Sequence, residues 1–430
     1  MRTLLTLCIA LFMSAQISAQ VVIDSVYTYK KLNRSLSFAQ LTFGGDVLCL
    51  TGGKTTTNGN GQSFGASTMP RLTIGGLHFW GHADFYVSFP LGIHIGSKPG
   101  FSSKFRHAES VETGMKIYPF AIRPGRLSPY VGISFQPFQF GYQLRDEIAP
   151  EGYARYERFV TPLQLGATYA SKKYLFSAQL RYNWRNSFDY YERPESQAQV
   201  QVNPINFSVG ILRYLDTDIQ AGSPKGVDQQ NIKHHILKKE GKLSAWYWGL
   251  GPSTALQWSK SPFIQEKYPF LGDEMLNSFL LPDFTFGRYF SKPDMNVGLS
   301  ARAMWFNAGA FDTRLNMHRS TVALEAYKFL FDYHGFVPFV GPMLSVDYLQ
   351  LKTNGLETAS AVKPTLGFVF GWDIRVTRTG TSLLRTNLRY SPKLNLDIEG
   401  ELLKFNHLEF NFIQYVHFIG RKKVYQKYSK

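Results

Sequence analysis

Residues 365–376 read Thr-Leu-Gly-Phe-Val-Phe-Gly-Trp-Asp-Ile-Arg-Val. Successive side chains of a strand point to opposite faces. Leu366, Phe368, Phe370, Trp372, Ile374 and Val376 therefore share one side, against Thr365, Gly367, Val369, Gly371, Asp373 and Arg375 on the other. Only Val369 on the second side is a large apolar residue. The stretch from Tyr174 to Trp184 follows the same rule, with Tyr174, Phe176, Ala178, Leu180, Tyr182 and Trp184 opposite Ser177, Gln179, Arg181 and Asn183. Near the end, Leu408, Phe410, Phe412, Val416 and Phe418 are placed outward and Glu409, Asn411 and His417 inward. An apolar outside and a polar inside at every second residue is what a β-barrel in lipid requires.

The same parity predicts sixteen strands, near residues 35–49, 68–79, 83–96, 108–120, 128–143, 155–170, 173–184 and 203–215, then 245–258, 279–290, 295–306, 319–331, 336–351, 361–377, 381–390 and 407–419. Connections alternate between long and short. Long ones fall near 50–67, 97–107, 144–154, 185–202, 259–278, 307–318, 352–360 and 391–406, and short ones near 80–82, 121–127, 171–172, 291–294, 332–335 and 378–380. Outer-membrane barrels keep short turns on the periplasmic side and long loops outside, so both termini and the segment 216–244 are expected in the periplasm. Trp80, Trp184, Trp246, Trp248, Trp258 and Tyr390 stand at strand ends, where a headgroup layer would be. A soluble β-sandwich also alternates, but the strand count, the lack of a second interior face and these aromatics argue against it.

The strand programme is written twice. Tyr118-Pro119-Phe120 followed by Pro129-Tyr130-Val131-Gly132 returns as Tyr327-Lys328-Phe329 and Pro338-Phe339-Val340-Gly341, and Leu180-Arg181-Tyr182 answers Leu388-Arg389-Tyr390. Each copy resembles the eight-stranded outer-membrane β-barrel domains of the OmpA/OmpX-like type, in which an aromatic-turn-Tyr-Val-Gly signature joins the fourth and fifth strands. The resemblance covers nearly all of the chain after its leader and implies architecture rather than activity. No peptidoglycan-binding domain follows the second copy, and the family's terminal aromatic is matched by Phe418, followed by twelve further residues. The resulting layout is a signal peptide over 1–19, an N-terminal periplasmic segment over 20–34, a first repeat over 35–215, a periplasmic linker over 216–244, a second repeat over 245–419 and a basic tail over 420–430. The expectation is an all-β transmembrane antiparallel barrel of about sixteen strands, closed once across both halves. The alternative is two separate eight-stranded barrels.

Composition agrees with export. Met1-Arg2, an apolar run from Leu4 to Met13 and a small-residue exit at Ser18-Ala19 form a secretory leader. Of the two cysteines, Cys8 lies in that leader, so Cys49 has no partner for an internal disulfide. No stretch beyond the leader reaches the roughly 20 apolar residues of a spanning helix. Aromatics make up 15% of the chain, which suits interfacial girdles. The net charge of +16 is dispersed on an exported chain, so nucleic acid is not expected as a partner. Expected partners are outer-membrane lipids and lipopolysaccharide, the barrel assembly machinery, and an extracellular ligand held by the long loops, of which Gly52–Gly65 reads as mobile and Phe188–Arg193 as suited to recognition.

The chemistry-bearing candidates lie on the inward face. Arg71, Lys116, Arg181, Arg302, Arg375, Arg385 and Arg389 are placed there with Asp84, Glu112, Glu325, Asp347, Asp373 and Glu409. Paired and hydrated, they are a structural interior. With Asp373 as their one nearby carboxylate, Arg375, Arg385 and Arg389 would instead favour anions. His318-Arg319-Ser320, placed in a loop, has the His-x-Ser spacing of lipid A deacylase barrels, in which serine attacks and histidine is the base. His234-His235 lacks a second ligand cluster for a metal and reads as part of a solvated linker. There is no Gly-rich phosphate loop, CxxC pair or HExxH, so no cofactor, metal or catalytic set is expected. The leading functional expectation is a passive porin or channel for small solutes, with a preference for anions. The alternative is a surface-binding or envelope-scaffold barrel with a filled interior.

Overall fold

The computed structural model describes every residue except 1–38, 58–59, 94, 97–102, 110, 145–154, 216–232, 257–260, 272–280, 333–335, 376–379 and 429–430. The leader and the N-terminal segment lie outside the described residues, as does most of the linker. All sixteen expected strands are present. In the first half they are β1 (Ala39–Leu50), β2 (Ser67–His78), β3 (Ala83–Pro90), β4 (Glu112–Ile117), β5 (Leu127–Leu144), β6 (Leu163–Ala170), β7 (Tyr174–Tyr182) and β8 (Ile205–Tyr214). In the second they are β9 (Ala245–Leu256), β10 (Leu281–Phe290), β11 (Met295–Ala310), β12 (Thr313–Phe329), β13 (Phe336–Thr353), β14 (Leu356–Ile374), β15 (Ser382–Tyr390) and β16 (Leu408–Phe418).

The expectation of one barrel is overturned. β1 pairs with β8 from Thr42↔Tyr214 to Cys49↔Phe207 and with β2 on its other edge, so the first half closes on itself. The ring β9 to β16 closes separately, through β9–β16 pairs from Tyr247↔Phe418 to Leu256↔Leu408. Each half satisfies all its own edges within eight strands, so neither has an edge left to offer the other. On their outer walls Val87, Phe89 and Val111 of the first barrel pack with Leu388, Phe410 and Ile413 of the second.

Parity holds along most strands. Leu366, Phe368 and Phe370 are exposed, and Thr365, Gly367 and Val369 are buried inside. It fails at the end of β16. Between Asn411 and Gln414 the strand carries one extra residue relative to β15, and the register against β9 shifts at the same place. Beyond this bulge the faces exchange. Val416 and Phe418 turn inward and are fully buried, while Tyr415 faces out, which corrects the expected faces of Val416, His417 and Phe418.

The repeat signature has a geometric meaning. Tyr118 and Tyr130 meet inside the first barrel with ring centroids 5.2 Å apart, and Tyr327 and Phe339 do so inside the second at 4.3 Å. Each second ring lies over a glycine of the next strand. A Cβ at Gly166 would fall 2.6 Å from the Tyr130 ring, and one at Gly371 2.6 Å from that of Phe339. Gly132 and Gly341 are equally constrained, since a Cβ there would meet the Met115 and Ala326 carbonyl oxygens at 2.8 and 2.0 Å. Pro129 and Pro338 open the same two strands beside them.

The loop ends are more ordered than the sequence suggested. Instead of a mobile loop, Gly53–Thr57 and Asn60–Phe64 form a hairpin, and it joins the hairpin Ser187–Arg193/Ser196–Val202 in a four-stranded sheet. That sheet buries Phe64, Phe188, Tyr190, Val200 and Val202 against Phe138 and Phe140 of β5. In the second half, two expected long loops are strand extensions. β11 and β12 are joined by Phe311-Asp312, with Phe311 at positive φ, and β13 and β14 by Asn354-Gly355, where both residues have the positive φ that a tight type I′ hairpin needs. The extended walls enclose Met304, Phe306, Leu315, Met317, Leu349 and Leu351 under the helix Pro262–Lys267 and the hairpin Asn395–Ile398/Glu401–Lys404.

Candidate functional site

Alternation delivers the inward charges to the middle of each barrel, and the structure pairs them. In the first, Arg71 forks between Asp46 and Glu112, and Arg181 lies 3.3 Å from Glu112. Tyr86 and the Gln164 amide donate to Glu112 at 2.8 and 3.0 Å, and Lys116 pairs with Asp84 at 3.7 Å. Lys116 also sits over the Tyr86 ring at 4.8 Å. Unpaired, such charges cannot be kept in a low-dielectric interior, and each here has a partner of opposite sign.

The second barrel holds a longer chain of pairs. Arg302 contacts Glu409, which is 2.8 Å from Arg319; Arg319 in turn donates to Asp347 at 2.8 Å. Arg389 joins Asp283 to Glu325. Arg385 grips Asp373 with both arms of its guanidinium, at 2.6 and 2.7 Å, and also contacts Tyr327. Ser345 and Thr321 each donate to Asp347 at 2.6 Å. The expected cluster of under-compensated arginines is therefore corrected. Arg385 and Arg389 meet three carboxylates between them, and Arg375 lies away from both, at the short-turn mouth, where it pairs with Asp332. Asp46, Asp283, Arg319 and Asp332 were missed in the sequence. Asp283 was readable from Pro282, Phe284 and Phe286 facing out around it, whereas Arg319 was obscured by placing His318 in a loop.

The two mouths are closed differently. At the short-turn end of the first barrel Tyr118, Ile122, Tyr130, Leu175 and Leu212 pack together. In the second, helical residues 233–239 and the helix Arg421–Lys427 fill the mouth with Leu237, Leu243 and Tyr425. Arg421 donates to the Gly380 and Leu243 carbonyls, both at 2.9 Å, and lies 3.5 Å from the Phe418 ring centre. Buried there, its guanidinium has a pKa lowered to about 10. His234 is not solvated, as the linker reading had it. Its Nε2 accepts from Arg375 at 2.9 Å, which leaves Nδ1 to donate to the Tyr425 hydroxyl. Burial, and then the Arg375 charge, push its pKa well below the usual histidine range. Burial works to raise the Asp332 carboxyl, but Arg375 overrides it and holds it below the carboxylate range.

His318 and Ser320 lie within β12 rather than in a loop. They face outward, and the Ser320 hydroxyl is 3.0 Å from His318 Nε2. Trp305 stacks on the imidazole with centroids 5.2 Å apart, and Tyr348 stands 6.0 Å away. The pair belongs to an aromatic band at the loop end of the lipid-facing wall. Cys49, also on the outer wall, is a free cysteine beside Thr68. Trp184 and Trp246 are each about half exposed at strand ends, and Arg288 covers the Trp246 ring at 5.6 Å. Trp258 lies outside the described residues. No group of three or more His, Cys, Asp or Glu suited to a metal ion occurs among the described residues.

No protein-family model and no curated protein matches the sequence. Solved structures with some similarity to the chain include Neisserial surface protein A, at 15% identity over 41% of this chain and 96% of that one, with a TM-score of 0.27. Ail, the attachment invasion locus protein of Yersinia pestis, matches at 8% over 41% and 96%, with a TM-score of 0.25. An outer membrane channel from Pseudomonas putida F1 matches at 9% over 91% and 99%, with a TM-score of 0.20. Two closed rings with apolar outer walls, charged interiors and aromatic rims define the class: a tandem transmembrane β-barrel of the Gram-negative outer membrane.

Proposed function

We propose that the chain is a non-conducting tandem barrel that anchors an ordered surface outside the cell, the second of the two functional expectations. The observation that carries this reading is the interior itself. Arg71, Arg181, Arg319, Arg385 and Arg389 are among the largest fully buried side chains, and each is engaged by carboxylates across the barrel. A solute would have to break these pairs, and separating a buried pair costs roughly 3–5 kcal/mol. The sheet built from residues 53–64 and 187–202 turns Lys54, Thr56, Asp189, Gln199 and Gln201 outward on a rigid frame, a surface suited to an extracellular ligand. In this reading the protein has no catalytic role, and its lipid, lipopolysaccharide and assembly-machinery partners are those of any outer-membrane barrel. Planar-bilayer recording of the refolded protein tests it. Insertion without conductance is the expected result, and steady ion current returns the protein to the channel reading.

A further inference from the structure

The excess positive charge is confined to one end of the molecule. Among the described residues of the loop-end segments 50–67, 91–110, 141–160, 183–204, 257–280, 307–318, 350–363 and 391–407, thirteen Lys and Arg meet eleven Asp and Glu. The barrel interiors are near balance as well, with seven cations and eight carboxylates. At the short-turn end, residues 118–126, 171–173, 233–244, 291–294 and 419–428 carry thirteen Lys and Arg against Glu240 and Asp294, the Asp332–Arg375 pair aside. Loop flexibility does not explain this placement. The turn that holds Lys172 and Lys173 runs only from Ser171 to Lys173, and its Ser171 hydroxyl accepts from the Tyr174 amide at 2.9 Å. Lys292 sits in the four-residue turn between β10 and β11, and Arg123 and Arg126 are exposed on either side of Gly125.

We infer that this rim binds the anionic phosphate headgroups of inner-leaflet phospholipids and gathers a collar of them around both barrels. The turns between strands hold Arg123, Arg126, Lys172, Lys173 and Lys292 level with the headgroups, next to the aromatic residues Tyr174, Trp246 and Phe290 that mark the interface, and the exposed Lys422, Lys423 and Lys427 of the terminal helix lie at the same end. Clustered Lys and Arg at the membrane surface attract anionic lipid, with a strength that grows with each added charge. A cell-wall polymer lies farther into the periplasm, and cations on turns this short do not extend toward it.

The test uses the mature protein in nanodiscs of equal phosphatidylcholine and phosphatidylglycerol, with the lipid retained after extraction counted by native mass spectrometry. Phosphatidylglycerol should be enriched about fivefold, and the enrichment should fall as added salt shortens the screening length from about 10 Å to about 3 Å. The variant Arg123→Gln/Arg126→Gln/Lys172→Gln/Lys173→Gln and the variant Lys292→Gln/Lys422→Gln/Lys423→Gln/Lys427→Gln should each lose a large part of it, and their combination nearly all. Lys393→Gln/Lys404→Gln, at the loop end, should retain it. All these positions are exposed except the half-buried Lys404 of the loop-end hairpin, and heat-modifiable gel mobility verifies that each variant is folded. Equal enrichment in wild type and the combined variant would overturn the inference. So would charge-dependent retention on purified cell-wall sacculi without phosphatidylglycerol enrichment, which would make the rim a cell-wall contact.

Discussion

The two barrels share a frame and differ at their ends. Both place an aromatic pair inside the fourth and fifth strands, with the second ring over a glycine, and both hold a belt of ion pairs at mid-height. The first barrel is shut below by its own strands and turn, and is covered above by a sheet made of two loops. The second is shut below by segments outside the barrel, residues 233–239 and 421–427, and above by the extension of its own walls. The frame tolerates little change, because a closed strand ring with a filled interior constrains every second residue. The ends lie beyond the bilayer and can be closed by whatever chain is at hand.

The sharpest test of the comparison is closure itself. In a Cys49→Ser background, Val47→Cys/Val209→Cys should crosslink almost completely across the β1–β8 seam, where the two residues are register partners. A cysteine pair joining β1 to β16 should give no product; a β1–β16 crosslink would mean that the halves open into one ring.

Next in size is the mid-height belt. Arg389→Leu leaves Asp283 and Glu325 without their shared partner, and Glu112→Leu does the same to Arg71 and Arg181. Each should cost about 3–5 kcal/mol in urea unfolding from vesicles. Equal losses would show that the belts are equivalent. A much smaller loss in one barrel would mark that interior as hydrated.

The aromatic-over-glycine contact should cost less. Gly166→Ala and Gly371→Ala each push a methyl against the ring above and against the carbonyl oxygen of Ala178 or Thr386 on the neighbouring strand, for about 1–3 kcal/mol on the same scale. A neutral result in either would show that both the ring and the neighbouring strand give way there.

The smallest effect distinguishes the two mouths. Protonating His234 would set a second donor against Arg375, so the docked state disfavours the charged imidazole. Its contribution is therefore fully present above the ordinary histidine value of 6.5 and is lost as pH falls below it, by at most about 1.4 kcal/mol per pH unit. Asp332 stays ionised through this window. Arg421 and Lys238 also face the site and oppose a charged imidazole. Hydrogen exchange across 233–239 should accelerate between pH 7 and pH 5, and by more than at Tyr118 in the first barrel's mouth, whose carbonyl already faces His82 Nδ1 at 3.0 Å. His234→Gln should flatten the dependence, and an unchanged pH response in that variant would remove His234 from the contact.

Much of this was legible in the sequence. Period-two alternation placed every barrel strand and most of the inward charges from Arg71 to Glu409, because in lipid that alternation is forced. The seam was not legible, since the signature Tyr118…Gly132 and its copy describe what lies within a half and say nothing about which edge meets which. Parity also fails silently at a bulge, and the single extra residue between Asn411 and Gln414 reversed the faces of Val416 and Phe418. The partners of Arg375 and His234 were hidden because they join the linker, a turn and the tail, segments with no period to read.

Eight strands also have an arithmetic consequence. A meander with an even number of crossings returns the chain to the compartment from which it set out, and here each barrel begins and ends on the short-turn side. A whole barrel is thus a unit that can be copied in tandem with only a tether on that side, because the added copy inherits the correct orientation. A unit of seven or nine crossings would have stranded the tether outside the cell and inverted everything after it.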